Sequence, residues 1–374
     1  MKLHETSGDD PWHFARPELA GTYLDAFDLK LSSARGLFAR RRMGKTEFLQ
    51  QDLLPAARAR GYLIAYTNLW ESRAEPDVAL VSALTDALSP QGVRAVLSAL
   101  GKPVRKVKAG AKIPGGVEGT LEAELGTDQS GLALREVLKQ IDKQKKPLLL
   151  VIDEAQVLAH AENSDFAHAL RAGLDVRKDR IKVIFAGSSE TTLRAMFARA
   201  SEPFYNWAAL EPFPLLGVEF VDYTIKLMNS MARNRLKLQQ GVHAFSELHS
   251  TPEFFKRFVE RYMLYQLQGA EAALSHTKAT VFSDEQFNKQ WSAMNPADQG
   301  VLTLIALGDS GVHSAAGLSR LTELLGRPVN KSTASHALRR LQQDNAVTRL
   351  AIGDYRIEDE AFAEWIRRKA AAEW

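Results

Sequence analysis

The sequence predicts an α/β fold on a parallel sheet, followed by an all-helical segment and a terminal module of three helices and a hairpin. Three observations lead there. Short apolar runs alternate with helical patterns through the first half. From about residue 215 to 275 the pattern is helical throughout. From about residue 294 three helical patterns precede two β-prone runs around Gly353-Asp354. At roughly 100–200 residues per domain, 374 residues suit two or three domains.

Taken in order, residues 35–39 form a first strand, and a basic loop joins it to a helix over 46–60, where Phe48, Leu49, Leu53 and Leu54 recur at helical spacing. Residues 62–70 read as a buried strand and about 76–88 as a helix. Residues 102–125 break the rhythm, with a basic arm (Lys102, Arg105, Lys106, Lys108, Lys112), Gly115-Gly116 and an acidic arm (Glu118, Glu122, Glu124). A hairpin insertion over about 102–126 fits, either solvated or offering its basic arm to a partner or DNA. Leu148 to Ile152 is apolar at every position, as a strand covered on both faces requires. A helix over about 163–176, a strand over 181–186 and a helix over 190–199 complete the α/β part. Helices over 296–307, 314–325 and 331–343, with Ser332 as cap of the last, then two short strands, give the element order of a winged helix.

Composition excludes several classes. Hydrophobic residues at 45% and charged residues at 25% are ordinary for a folded protein. With 48 Lys and Arg against 45 Asp and Glu, the net charge of +3 names no polyanionic partner. The absence of cysteine removes disulfides, zinc fingers and thiol catalysis. The first ten residues lack the apolar core of a signal peptide, and no run approaches the ~18 residues of a membrane span, so a cytoplasmic protein without membrane contact is expected. The histidines are scattered without metal-ligand spacing.

Ala39-Arg40-Arg41-Arg42-Met43-Gly44-Lys45-Thr46 matches a phosphate-binding loop with Ala39 in place of its first glycine. Gly44 permits positive φ and close approach of backbone to an anion. Successive N–H groups and the following helix N-terminus face that anion. Lys45 adds charge for the outer phosphates, and the Thr46 hydroxyl suits Mg²⁺. The run Arg40-Arg41-Arg42 either sets the potential around a triphosphate or is solvated. Second, the strand ending in Asp153-Glu154 delivers two carboxylates where parallel sheets place ligands. Asp153 is expected to hold Mg²⁺ and Glu154 to polarise the attacking water. Third, Gly187-Ser188-Ser189 follows the next strand. Ser188 either senses the γ-phosphate or caps a helix. Trp70 and Trp207 are expected to be packing anchors.

On these residues the chain resembles the AAA+/STAND-type P-loop ATPases, particularly archaeal-type ATPases related to origin-recognition proteins. Arg41-Arg42-Met43-Gly44-Lys45-Thr46, Asp153-Glu154-Ala155-Gln156 and Gly187-Ser188-Ser189 carry the resemblance. Leu210 to Leu215 resembles the start of a helical lid, and Thr251-Pro252-Glu253-Phe254-Phe255 the start of a lid helix. The resemblance implies a P-loop ATPase core over 1–212, a lid over 213–290 and a winged helix over 291–374, with ATP and Mg²⁺ as ligands. The family's Tyr-Gly-Arg stretch is replaced by Phe204-Tyr205-Asn206-Trp207, without an arginine. Hydrolysis is therefore expected to be weak or to need an arginine from a second copy or a protein partner. Arg194 and Arg199 are expected on solvated faces, and Lys256 and Arg257 either as lid sensors or on an exposed face.

Residues 291–374 hold ten basic and ten acidic residues, so the module is neutral as a whole. Its third helix is locally basic. Lys331, Ser332, Thr333, Ser335, Arg339 and Arg340, with Arg349 on the wing, form the expected surface for double-stranded DNA. The resulting expectation is an ATP-driven switch coupled to DNA binding or partner assembly. The alternative is a nucleotide-loaded scaffold that hydrolyses little and whose winged helix binds protein.

Overall fold

The computed structural model describes residues 10–72, 75–88, 127–282, 284–308, 311–344, 346–351 and 354–373. The hairpin expected over 102–126 lies outside the described residues. The protein divides into two compact units. One holds the described residues up to Phe38 with Lys45–Ser188 and Thr192–Phe213; the other holds Ala39–Gly44, Ser189–Thr191 and Pro214–Trp374.

In the first unit, helix α1 (Pro17–Asp28) opens on a proline, whose fixed φ suits a first helical turn, and buries Tyr23, Leu24 and Phe27. Strand β1 (Ala34–Phe38) follows. Helix α2 has α-helical ends, Lys45–Phe48 and Leu54–Ala59, around a π-helical stretch, Leu49–Leu53. Then come β2 (Leu63–Asn68), α3 (Pro76–Asp86), α4 (Thr127–Asp142), β3 (Leu148–Asp153), α5 (Ser164–Asp175), β4 (Ile181–Gly187), α6 (Glu190–Ala198) and β5 (Ala209–Pro212).

The five strands form one parallel sheet in the order β2-β3-β4-β1-β5. Every residue of β3 and β4 is buried, which explains the apolar run Leu148–Ile152 and, apart from Lys182, the apolar residues of Ile181–Ala186. Because β4 lies between β1 and β3, the carboxyl ends of all three strands are neighbours, with Phe38 opposite Gly187. This brings the chain ahead of Lys45, the Asp153-Glu154 pair and Ser188 to one edge.

The strand expected over 62–70 is shorter at both ends. Tyr62 N–H is taken by Ala57 at the helix exit, and Asn68 Oδ1 accepts from Trp70 N–H at 3.0 Å, turning the chain out of the sheet. Strand β5 was not expected as a strand; it pairs with β1 at the sheet edge.

In the second unit, α7 (Val218–Met231), α8 (Leu238–Glu247), α9 (Pro252–Leu264) and α10 (Gly269–Val281) fill the expected helical segment. Their core is aromatic: Phe220 lies 5.8 Å from Phe245 and 5.9 Å from Phe255. After α11 (Asp284–Ser292) come α12 (Pro296–Ala306), α13 (Ala315–Leu325), α14 (Lys331–Gln343), an antiparallel hairpin β6 (Val347–Ala351) and β7 (Asp354–Ile357), and α15 (Glu360–Glu373). Helix α15 was not expected; its Phe362 and Trp365 pack on Phe287 and Trp291. The cap of α14 is Asn330, whose Oδ1 accepts from Thr333 N–H at 2.9 Å, not Ser332, which is an exposed first-turn residue. Among the described residues, no helix is long and apolar enough to cross a membrane.

Candidate active site

Residues 39–44 join β1 to α2. Gly44 has φ 79°, the left-handed conformation anticipated for it, and Arg42 reaches φ 66° although it carries a Cβ. Ala39 and Met43 are buried. The Arg42 side chain is committed within its own unit, to Asp359 at 3.2 Å and Glu253 at 3.7 Å, with its guanidinium over the Phe254 ring.

Lys45 and Thr46 open α2. The buried Lys45 ammonium lies 2.7 Å from Asp153 Oδ1 and 3.9 Å from Glu154 Oε1. Thr46 Oγ1 donates to Asp153 Oδ2 at 2.6 Å. Asp153, at the end of β3, is fully buried, and its Oδ1 also accepts from Glu154 N–H at 3.0 Å. Burial alone would raise the Asp153 pKa, but the Lys45 charge and the Thr46 and Glu154 hydrogen bonds hold it below the usual carboxylate range. Burial, together with the Asp153 charge, pushes neighbouring Tyr66 up to about 12.

Glu154 sits in the left-handed region at φ 54° and turns the chain from β3 into a 3-10 turn, Ala155–Ala159. Its Oε2 accepts from Ser188 Oγ at 2.7 Å and from Gln156 Nε2, while Gln156 Nε2 also donates to Ser188 Oγ at 3.3 Å. Ser188 is thus turned onto Glu154. The donor chemistry fits a magnesium ion, since a hydroxyl and a carboxylate oxygen, both hard ligands, already meet beside a neutralising ammonium.

Sequence reasoning missed a second ionic cluster on α2. His13 is buried, with Nδ1 3.1 Å from Glu47 and Nε2 3.0 Å from Asp52. Asp52 also accepts Arg16 N–H at 3.1 Å, and the Arg16 guanidinium covers the Phe48 and Phe213 rings. Burial opposes the imidazolium, but Asp52 and Glu47 outweigh it and hold His13 at about 9. Burial brings Arg16 down to about 10. Partners 34 and 39 residues away leave no local signal. The sequence alone assigns Gln156 no role; its place two residues after Glu154 is the available clue.

Trp207 packs on Phe185 and Phe204, as anticipated for an anchor. Arg194 is exposed, yet its guanidinium stacks on Phe38, so its stem is not a free solvated face. Arg257 pairs with Glu253 at 2.7 Å. On α14, Lys331, Ser332 and Arg339 are exposed, Ser335 is half-buried, and the Thr333 hydroxyl donates to the Asn330 cap. Arg340, also in the expected DNA set, pairs with Asp298 of α12 through both Nε and Nη2, at 3.2 and 2.7 Å. Arg349 lies on β6 opposite Tyr355.

No family model matches the chain, and none of the curated proteins does. Among solved structures, a Walker-type ATPase of Pyrococcus abyssi has TM-score 0.62 at 17% identity, over 94% of this chain and 95% of that one. The ORC2 protein of Aeropyrum pernix, in its ADPNP–ADP complexes, has TM-score 0.54 at 15% identity, over 95% and 93%. The chain has the fold of the origin-recognition P-loop ATPases. The A. pernix ORC1 protein in complex with DNA shares this fold too, with TM-score 0.50 at 13% identity over 100% and 97%. The parallel-sheet core with many helices expected from the sequence is thereby borne out.

Proposed function

We propose that the protein binds and hydrolyses Mg²⁺-ATP and that its nucleotide state governs DNA binding by the C-terminal module. The observation carrying this reading is the meeting of Lys45, Thr46 and Glu154 around Asp153 at the carboxyl end of a parallel sheet. Backbone N–H groups of residues 39–46 and the Lys45 ammonium bind the phosphates. Thr46 and Asp153 would hold the magnesium ion, which would neutralise phosphate charge when bound. Glu154 takes a proton from a water whose oxygen bonds to the γ-phosphorus as the bond to the β–γ bridging oxygen breaks, and ADP leaves with that electron pair. Residues 1–212 act as the ATPase core, 213–290 as its lid and 291–374 as a winged helix.

Exposed Lys331, Ser332 and Arg339, with Ser335 and Arg349, form the surface offered to double-stranded DNA, with Arg340 left to Asp298. A likeness to a protein solved with DNA supports this partner. The turn Phe204–Trp207 contains no arginine, which favours one variant of the reading: turnover waits on an arginine from a second copy or a partner. A scaffold that holds nucleotide without hydrolysis is the limiting case. Phosphate release with and without duplex DNA separates the two. Lys45→Ala should abolish nucleotide binding in calorimetry, whereas Glu154→Gln should keep binding and stop turnover. Equal turnover by Glu154→Gln and the natural protein would remove Glu154 from this role.

A further inference from the structure

We infer that Gln156 is a positioning residue for hydrolysis, one that together with Ser188 anchors a single oxygen of Glu154 and leaves the other to accept the proton. This rests on the ATP-hydrolysing reading and adds a residue to that site. Three side chains close a ring: Ser188 Oγ–H and Gln156 N–H both point at Glu154 Oε2, and the second Gln156 N–H meets the Ser188 oxygen. The ring fixes its own orientation. An ionised carboxylate only accepts, so the nitrogen end of the amide has to face Glu154.

The remaining amide oxygen has a cost that marks the arrangement as specific. Gln156 is fully buried, and its Oε1 finds no hydrogen-bond donor among the described residues. That oxygen points at Gly187, the last residue of β4, where an added Cβ would collide with it and with Leu193. A buried unsatisfied acceptor and a side-chain-free position opposite it are tolerated together, while the donor end is used fully. A glutamine serving only as filler would be replaced at lower cost by an apolar side chain.

The consequence lies in which Glu154 oxygen remains free. Oε2 takes both donors, whereas Oε1 faces the Lys45 ammonium at 3.9 Å, the group that binds the phosphates in this reading. The free oxygen is therefore on the side where the reacting water has to lie. The left-handed backbone at Glu154 gives it no rigid helical or strand setting of its own, so the side-chain ring supplies the orientation. The charged group lying against this carboxylate among the described residues is the Lys45 ammonium, which is shared with Asp153.

The test measures kcat, KM and equilibrium nucleotide affinity, with and without duplex DNA, for the natural protein, Gln156→Met, Gly187→Ala and the pair Glu154→Gln with and without Gln156→Met. Gln156→Met keeps the volume and removes the donors; Gly187→Ala keeps the glutamine and displaces its amide. Both should lower kcat roughly 10- to 100-fold with nucleotide affinity within about twofold of the natural protein. In the Glu154→Gln background, whose turnover is already reduced to a residual rate, the Gln156 substitution should lower that rate no further and leave nucleotide affinity within about twofold, because its effect passes through Glu154. Unchanged or faster turnover in Gln156→Met would overturn the inference while leaving the hydrolytic reading intact. A natural protein that binds nucleotide but never turns it over would overturn both. Loss of binding in parallel with kcat in both single variants would make Gln156 a structural residue and also overturn the inference.

Discussion

Two buried ionic clusters share helix α2, and they differ in what kind of donor serves the carboxylate. At Asp153 the donors are the Lys45 ammonium and the Thr46 hydroxyl, the first on a flexible stem and the second a rotatable group. Both can turn to another anion without moving the backbone. At Asp52 the donors are the His13 ring and the backbone N–H of Arg16, whose guanidinium lies over the Phe48 and Phe213 rings. Those cannot leave unless the chain ahead of α1 detaches. Under the proposed function, the same physical interaction serves exchange in one place and anchoring in the other.

Substitutions should separate the two clusters. The largest effect expected is on ligand binding: Lys45→Ala should lower affinity for Mg²⁺-ATP by at least about 100-fold, read by calorimetry. His13→Ala should leave that affinity unchanged and instead cost about 2–3 kcal/mol of stability near pH 6, read by denaturant unfolding. The pH sign follows from the imidazolium. His13 is held at about 9, above its ordinary value of 6.5, so its contribution is complete below pH 6.5 and is lost as pH rises to 9. The natural protein should therefore lose about 3 kcal/mol over that window that His13→Ala does not lose. A nucleotide-affinity change in His13→Ala as large as that in Lys45→Ala would erase the distinction.

The smallest effect expected lies in the other unit. Arg340→Ala should cost about 1 kcal/mol, because the mostly buried Asp298 loses a two-point partner that is itself largely exposed. It should alter nucleotide binding by nothing measurable. Arg339→Ala, in contrast, should weaken DNA binding without a stability change, as gel shifts at fixed salt would read.

The strands β3 and β4 were legible because central parallel strands need apolar residues on both faces. The loop and the Asp153-Glu154 pair were legible because a phosphate cradle constrains residue type position by position. Strand β5 was hidden by its position at the sheet edge, where its side chains are half-exposed or exposed and no apolar pattern is required. Ser332 looked like a cap because serine is a good one, but Asn330 stands two residues earlier and fulfils the same bond. Arg340 looked like part of a basic face; its partner Asp298 lies 42 residues away, beyond any local pattern. Asp52 gave no signal because an acidic residue in a helix reads as solvated until its partner is known. The resemblance to origin-recognition ATPases suggested a lid and a sensor position, readings that periodicity alone does not supply.

In the proposed function Lys45 exchanges Asp153 for phosphate while the His13 cluster stays in place. Observing the Lys45 side-chain ammonium and the His13 ring nitrogens by ¹⁵N magnetic resonance, before and after saturation with Mg²⁺ and a non-hydrolysable ATP analogue, tests it most directly. The account requires the Lys45 signal to move and the His13 signals to stay. Calorimetrically proven binding that leaves Lys45 unmoved, or that shifts His13 instead, would contradict it.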